Sequence, residues 1–398
     1  MKKTNDMKTD DVLRVLFIHP NFSRYAYKQI VGLSRYCSSI EPVVLHGASD
    51  VSIHGSCSLE SLGIPVDTSL PRLSMPFSYR KYRPFLSDVI RENDCDLVYV
   101  YSMPDDWANA CIETQEKPVV FCMRDPTSSF TMKTLGGRVF PACISETPVL
   151  RYLPNHLVYS YIFSLERKAL VRSDGRVYAS QGMYRYLQQK HQLNGGNQLL
   201  FEGKVLPGEI PRSKPVKFSE KDGGIHIGFI GNVDVCQSDR NFLSFFDEVA
   251  SHRVHVHIIP VFRNERSRVA CHQLSLENQF VHVVEPMPPE DAVAYVSKCD
   301  YGLIPFLFEQ GYYDTILPNK LFDYLTAGIP VVSFCNKTIQ SFISKYHLGF
   351  CFNSIAQLIQ LLHQHSPDEF VVDPLNFSME KDVSVLSSFL WEVWSNAG

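Results

Sequence analysis

The stretch at residues 299–334, CDYGLIPFLFEQGYYDTILPNKLFDYLTAGIPVVSF, decides the fold. Residues 302–305 read as a short buried strand, a loop rich in aromatic and acidic residues follows, and Pro318 stands where a first helical residue belongs. The helix at 319–326 is stopped by Gly328, and a second apolar strand resumes at 330–334. Apolar strands separated by helices imply parallel pairing with helices on both faces. The block is also a loop feeding a helix N-terminus. Backbone N–H groups at Asn319, Lys320 and Leu321, the positive end of the helix dipole and the Lys320 ammonium suit a diphosphate. Asp323, one turn later, suits the hydroxyls of a ribose. Taken alone, the pattern also fits an ordinary helix-to-strand connection.

Outward from this block the alternation continues. Strands are expected at 225–230, 254–260 and 281–284, helices at 241–251, 265–276 and 289–298 between them, and further helices at 337–346 and 355–363. The first half repeats the theme, with strands at 14–19, 42–46, 97–101, 118–123 and 177–179 and helices at 22–37, 82–93, 157–170 and 183–191. Between the halves, residues 193–224 concentrate Gly, Pro and charge (LNGGNQ, LPGEIPRSKP, KDGG), the composition of a linker with a hinge near 210–222. The fold class expected is α/β, two Rossmann-like doubly wound domains facing a cleft at the C-terminal ends of their strands.

Composition bounds the function. The 398 residues are 45% hydrophobic and 20% charged, a globular balance, and the length favours two domains over one core. The longest apolar runs, 119–123 and 329–335, fall far short of the ~20 residues a membrane-spanning helix needs. The start MKKTNDMKTDD lacks the apolar stretch of a signal peptide, so a cytoplasmic protein is expected. Eleven Cys, an odd number with no CxxC, give no expectation of disulfides or zinc. The net charge of −4 is uneven: residues 1–215 carry 26 Lys+Arg against 21 Asp+Glu, and residues 216–398 carry 12 against 21. Either the first half faces something anionic or its surface is simply solvated. The excess is too thin for a nucleic-acid binder, and no GxGxxG follows either first strand, which disfavours a dinucleotide oxidoreductase.

The run LPNKLFDYLTAGIPVV at 317–332 resembles the donor-binding segment of retaining glycosyltransferases of the GT-B fold, in particular the large group 1, family 4-like bacterial enzymes. The likeness covers most of the chain. Residues 165–180 (LERKALVRSDGRVYAS) and 182–187 look like that family's helix, strand and helix ahead of the linker, and IGFIGN at 227–232 like the first strand and glycine turn of its second domain. Residues 288–306, ending in CDYGLIPF, look like the helix and strand before the nucleotide loop. Residues 377–394, with Trp391 and Trp394, look like its terminal crossover helix, although packing on their own domain would also account for them. The first 150 residues match only in architecture. The domains implied are an acceptor-binding domain at 1–210, a donor-binding domain at 211–376 and a helix at 377–398 crossing back to the first. The function implied is a retaining transferase that moves a hexose-type sugar from a nucleotide-diphosphate sugar, the co-substrate, to a glycan or lipid-linked acceptor in surface polysaccharide or glycolipid synthesis. No other cofactor and no metal are expected. The second reading is a catalytically silent GT-B protein serving as a partner subunit or glycan-binding module.

The resemblance assigns residues one by one. Gly231 and Asn232 meet the donor diphosphate; the family's usual Arg after that glycine is Asn232 here, and Arg240 is the nearest cation that could replace it. Pro318 and Asn319 open the phosphate-binding helix, Asp323 takes the ribose, and Glu285 lies against the base. A second family carboxylate, eight positions before Asp323, falls on Thr315; Glu309 or Asp314 could substitute for it. Glu309, Tyr312 and Tyr313 lie on the loop toward the sugar. No protein nucleophile is required, because the departing diphosphate takes the acceptor proton, so Lys320 and Arg240 carry the stabilisation of leaving-group charge. In the first domain, His19, Arg124 and Asp125 stand at strand ends toward the acceptor, with Asp125 as a catalytic candidate. Arg124–Asp125 could equally be an ion pair that orders its loop, and His19 a hydrogen-bonded core histidine. YRKYR at 79–83 is either a solvated loop or a contact with an anionic membrane surface, which would place the protein at the inner membrane face. His252, His255 and His257 read as edge polar positions rather than a metal site.

Overall fold

The computed structural model describes residues 12–19, 23–47, 58–70, 79–102, 105–126, 155–213, 215–237, 240–305 and 312–397. These form two compact units. Among the described residues, the first comprises those within 12–202 and 380–397, and the second those within Gly203–Met379.

The first unit contains β1 (Leu13–His19), α1 (Arg24–Tyr36), β2 (Ile40–His46), β3 (Val66–Asp67), α2 (Arg83–Glu92), β4 (Leu97–Tyr101), α3 (Asp106–Thr114), β5 (Val119–Met123), α4 (Asn155–Arg172), β6 (Gly175–Tyr178), α5 (Gln181–His191) and β7 (Asn197–Leu200). All neighbours pair in parallel in the order β3-β2-β1-β4-β5-β6-β7. The central strands have no solvated face: Val15, Leu16, Phe17 and Ile18 are wholly buried, as are Val98, Tyr99 and Val100. This is the burial that parallel sheets with helices on both sides impose.

The second unit holds α6 (Ser219–Asp222), β8 (Ile225–Val233), α7 (Leu243–Ser251), β9 (Val254–Phe262), α8 (Glu265–Glu277), β10 (Val281–Val283), α9 (Pro289–Val296), β11 (Tyr301–Ile304), α10 (Asn319–Thr326), β12 (Val331–Phe334), α11 (Lys337–Tyr346), β13 (Gly349–Phe352) and α12 (Ile355–Gln364). Its parallel sheet runs β10-β9-β8-β11-β12-β13, the doubly wound order that reverses between β8 and β11.

The last helix, α13 (Met379–Ala397), leaves the second unit at its first residue and packs with the first. Val383, Leu386, Phe389, Leu390 and Val393 recur at helical spacing and are all buried. Gly175 makes room for them, since a Cβ there would lie 2.7 Å from Val393 Cγ2.

One expectation is corrected. The stretch 193–224 is no plain linker: its Gly195 and Gly196, at φ 60° and 84°, turn the chain into β7. Beyond it the chain docks on the second unit. The Val205 amide donates to Phe377 O at 2.9 Å, the Met379 amide to Val205 O at 2.8 Å, and Lys217 Nζ to Ser297 O and Cys299 O at 2.9 and 2.7 Å. Gly, Pro and charge mark irregular backbone, and irregular backbone can still be firmly packed. Among the described residues, nine cysteines are free thiols and no helix is long and apolar enough to cross a membrane.

Candidate active site

The second unit's switch point is built by glycines and one tyrosine. A Cβ on Gly302 would come within 2.2 Å of the Tyr324 ring, so the bare β11 backbone lets α10 close onto the sheet. Buried there, the Tyr324 hydroxyl donates to Leu303 O at 2.7 Å and accepts from the Ile230 amide at 3.1 Å. This one side chain ties α10 to the ends of β11 and β8. Lys320 lies four residues earlier on the same face, so its ammonium is carried over the Phe229 ring, 4.1 Å from the centroid. Gly231, at φ 148°, leaves the space the ammonium uses: a Cβ there would lie 3.1 Å from Lys320 Nζ.

The loop after β8 supplies the second cation. It is closed by backbone hydrogen bonds from Gln237 to Asp234, Arg240 to Gln237 and Asp234 to Arg240. The buried Asp234 also accepts from Asn264 Nδ2 at 3.0 Å, while Ser267 Oγ accepts from the Val235 amide at 3.1 Å. Asn264 caps α8 through Ser267, so the residue before it, Arg263, is delivered to the same place. With its amide oriented to satisfy its neighbours, Asn232 Oδ1 accepts from Arg240 Nη1 at 2.9 Å and Arg263 Nη2 at 3.1 Å.

Three cations from three elements thus meet around Gly231 and Asn232, and their mutual repulsion registers. Desolvation, then the like charge of Arg240, pushes the half-buried Lys320 down to about 7, with Asp323 pulling the other way. Partial desolvation and Arg240 likewise lower Arg263. The start of α10 adds backbone donors: Pro318 is its N-cap and offers no side-chain cap, and no acidic residue stands in the first turn. Such an arrangement is suited to a polyanion. Asp323 is buried beside it.

The structure therefore brings together Gly231, Asn232, Arg240, Pro318, Asn319, Lys320 and Asp323. Arg263 and Tyr324 were not read from the sequence. Arg263 could have been noticed as a cation directly ahead of a helix-capping Asn. Thr315 is buried, and its turn is held by Thr338 Oγ1 donating to Asp314 O at 2.5 Å. Tyr312 and Tyr313 begin that turn, Tyr312–Thr315, and Glu309 lies outside the described residues. Glu285 stands on the surface, in an ion pair with Arg268 of α8 (3.7 Å) and 3.6 Å from His272 Nε2.

In the first unit the reversal falls between β1 and β4. His19 ends β1, buried, with Nε2 3.3 Å from Ser23 Oγ and its ring 4.6 Å from that of Tyr101. Ser102 Oγ accepts from the amides of Arg124 (3.0 Å) and Asp125 (3.4 Å), and Arg124 Nε donates to Asp125 Oδ2 at 2.7 Å. This pair orders the turn after β5. Arg24 and Lys28 of α1 are buried at the same end. In the YRKYR stretch, Arg80 pairs with Glu113 at 3.7 Å and the Tyr82 ring lies 5.3 Å from that of Trp107.

The chain is similar along nearly its whole length to solved structures of one architecture. A glycosyltransferase from Rickettsia africae superposes with a TM-score of 0.64 at 12% identity, over 96% of this chain and 98% of that one. HepE from Anabaena, in complex with UDP and glucose, gives 0.62 at 12% identity, over 96% and 100%. The UDP-GlcNAc 2-epimerase of Neisseria meningitidis, bound to UDP-GlcNAc, gives 0.57 at 12%, over 96% and 99%. At these identities the likeness establishes the fold, GT-B. Residues 261–372 match the family of glucosyltransferase 3-like C-terminal domains. Architecture and matched segment together define a chain of GT-B fold whose residues 261–372 are similar to a glucosyltransferase domain. No curated protein sequence matches the chain at a significant level.

Proposed function

We propose that the protein is a retaining hexosyltransferase that takes a nucleotide-diphosphate sugar as donor and a glycan or lipid-linked molecule as acceptor, in surface polysaccharide or glycolipid synthesis. The observation that carries this reading is the convergence of Lys320, Arg240 and Arg263 on Gly231 and Asn232 at the switch point of the second sheet. In the reaction, the bond from sugar C1 to the diphosphate oxygen breaks while the acceptor oxygen bonds C1 on the same face. The acceptor proton passes to the departing diphosphate. The protein's work is to hold charge growing on that diphosphate, through Lys320, Arg240 and the amides opening α10. Asp323 receives the ribose hydroxyls, and the turn at Tyr312–Thr315 is the segment assigned to the sugar. Arg24, Lys28 and Arg124 favour an acceptor bearing phosphate, oriented by His19 and Asp125. YRKYR would meet an anionic membrane surface during such transfer.

UDP-sugars are the first donors to test, because two neighbours were solved with UDP or a UDP-sugar. Incubating the full chain with UDP-glucose and candidate acceptors, then reading the anomeric configuration of the product by NMR, tests transfer and retention together. A C2-epimerised sugar instead would make the protein an epimerase on the same fold. No thermal stabilisation by any nucleotide sugar at millimolar concentration would favour the silent reading, since a ligand of the folded state must stabilise it.

A further inference from the structure

The opposite end of the second sheet carries four histidines on one face. β8 and β9 pair His226 with His255, and β9 and β10 pair His257 with His282. The His226 and His255 rings stack at 4.2 Å with planes 8° apart, His255 and His282 at 5.1 Å and 10°, and His257 and His282 at 4.6 Å and 26°. Residues 217–222 lie against this ladder of rings. The Phe218 ring stacks on His257 at 4.7 Å, the Phe218 amide donates to Lys298 O at 2.9 Å, and the Asp222 carboxylate, at the end of α6, lies 3.0 Å from His226 Nε2 and 3.8 Å from His255 Nε2.

The hydrogen bonds among these rings leave a place for one extra proton. A carboxylate only accepts, so His226 donates to Asp222 from Nε2. While His226 is neutral, its Nδ1 accepts from His257 Nε2 at 2.8 Å, and His257 Nδ1 accepts from the Tyr295 hydroxyl at 3.0 Å. His255 Nδ1 and His282 Nε2, 2.8 Å apart, likewise share a single proton. A proton added at His226 reverses the chain toward Tyr295 and is offset by Asp222. A second proton has no such place: it charges a ring that stacks in the same column, and Asp222 is already used. The other charged groups on the elements packed here do not compensate. Asp300 accepts from Ser219 Oγ at 2.6 Å and from the His226 amide at 2.8 Å, and Glu220 accepts from the Lys217 amide at 3.1 Å. Lys217, Lys221 and Lys298 are themselves cations, and burial pushes the Tyr295 hydroxyl and the Cys299 thiol up, so both stay neutral.

From this geometry we infer that the histidine ladder is an acid-sensitive latch, closed while its rings are neutral and released when more than one of them is charged, so that residues 217–224 part from the sheet. Desolvation, reinforced by the neighbouring imidazoles, lowers His255 and His282 and takes His257 down to about 2. In the unfolded chain the same rings protonate near 6.5. Below that value the open chain binds more protons than the closed one, so the latch weakens as the pH falls. Each ring kept neutral in the closed state adds up to about tenfold per pH unit to the opening equilibrium. Asp222, held down to about 2 by its hydrogen bond from His226, stays ionised throughout this window. The latch is separate from the anion site. His226 precedes Gly231 by five residues on the same strand, about 17 Å at ~3.3 Å per residue, and Lys320 titrates from about 7 upward.

The test is hydrogen exchange of the full chain at about pH 5 and about pH 7.5, corrected for the intrinsic rate and read at residues 217–224, with α11 as the internal reference. Opening at 217–224 is expected to be roughly tenfold or more favourable at the lower pH, with α11 unchanged. His255→Gln and His282→Gln replace half-buried rings by side chains that cannot charge. Together they should shrink the pH response several-fold, whereas His363→Gln, exposed on α12, should leave it intact. Equal protection of 217–224 at the two pH values, the same loosening in α11, or a full response in the double variant would overturn the inference. The first two readings come from the unaltered chain, so they decide the matter even where the double variant does not fold.

Discussion

Lys320→Met separates the contribution of an ammonium to the fold from its contribution to the ligand. The substitution keeps an unbranched stem over Phe229 and deletes the charge. In the ligand-free protein the surroundings pull this lysine from 10.5 to about 7. At about 1.36 kcal/mol per pH unit, that corresponds to roughly 5 kcal/mol set against the charged form. Lys320 keeps some solvent contact, and its cation–π contact with Phe229 is lost in the variant, so about 2 kcal/mol of net stabilisation is the sounder expectation. At pH 6, where the lysine is charged in both folded and unfolded chains, the variant should therefore unfold several degrees higher than the parent. Binding should move the other way. A charge-assisted hydrogen bond contributes about 1.5–3 kcal/mol, or roughly 10- to 150-fold in affinity for a nucleotide sugar, and turnover should fall below detection. Thermal unfolding and calorimetric titration with the same nucleotide sugar measure both signs. A variant less stable than the parent, with donor affinity unchanged, would refute the assignment.

The same lysine sets a pH dependence. Its folded-state pKa is depressed, so between about pH 7 and 10.5 the unfolded chain binds the extra proton and ligand-free stability rises with pH. The Lys320→Met advantage should shrink across that window in pH-dependent unfolding curves. A bound diphosphate favours the ammonium, so donor affinity should fall above pH 7 by up to about tenfold per pH unit, and the profile should be flat in Lys320→Met. Tyr324→Phe strips a buried hydroxyl from Leu303 O and the Ile230 amide; a loss of about 1–3 kcal/mol should appear as a Tm several degrees lower. Gly231→Ala introduces a Cβ at φ 148° and 3.1 Å from Lys320 Nζ; a strain of about 1–3 kcal/mol and at least a tenfold loss of donor affinity are expected in unfolding and binding measurements.

What the sequence made legible follows from where its constraints are local. The strands β1, β4, β5, β8 and β9 read as apolar runs because both their faces are buried. β3, with two residues, and β13, half-exposed GFCF, carry too little pattern, and β7 hides inside a Gly-rich stretch. The helix α3 went unread because its Asp, Trp, Asn and Cys give no clear period, although nearly all of it is buried. At the site, Lys320 and Asp323 share a helix whose start is written in Pro318, and Gly231 ends an apolar strand. Arg263 is different: its neighbour Asn232 lies 31 positions earlier, and only the register of β8 with β9 brings them together. The histidine face has the same origin. His255 and His257 looked like isolated edge residues until pairing set His226 and His282 beside them.

Asn232 is where the two functional readings part. In the resembling enzymes an arginine follows this glycine, and its replacement here could mean either a lost site or a relocated charge. The geometry supports relocation, because the asparagine carbonyl collects two guanidinium groups, one from the loop after β8 and one from the end of β9. Neutral Asn232 is then what permits Arg240, Arg263 and Lys320 to share a small volume. Asn232→Arg tests this directly. A fourth cation would add like-charge repulsion among groups already desolvated and would delete the acceptor that holds two of them. The variant should be less stable than the parent, with donor affinity lowered several-fold. If the site had instead decayed, restoring the arginine would rebuild it, and donor affinity would rise. Calorimetric titration of parent and variant with UDP-glucose, at an ionic strength low enough to leave charge unscreened, separates the two outcomes by sign.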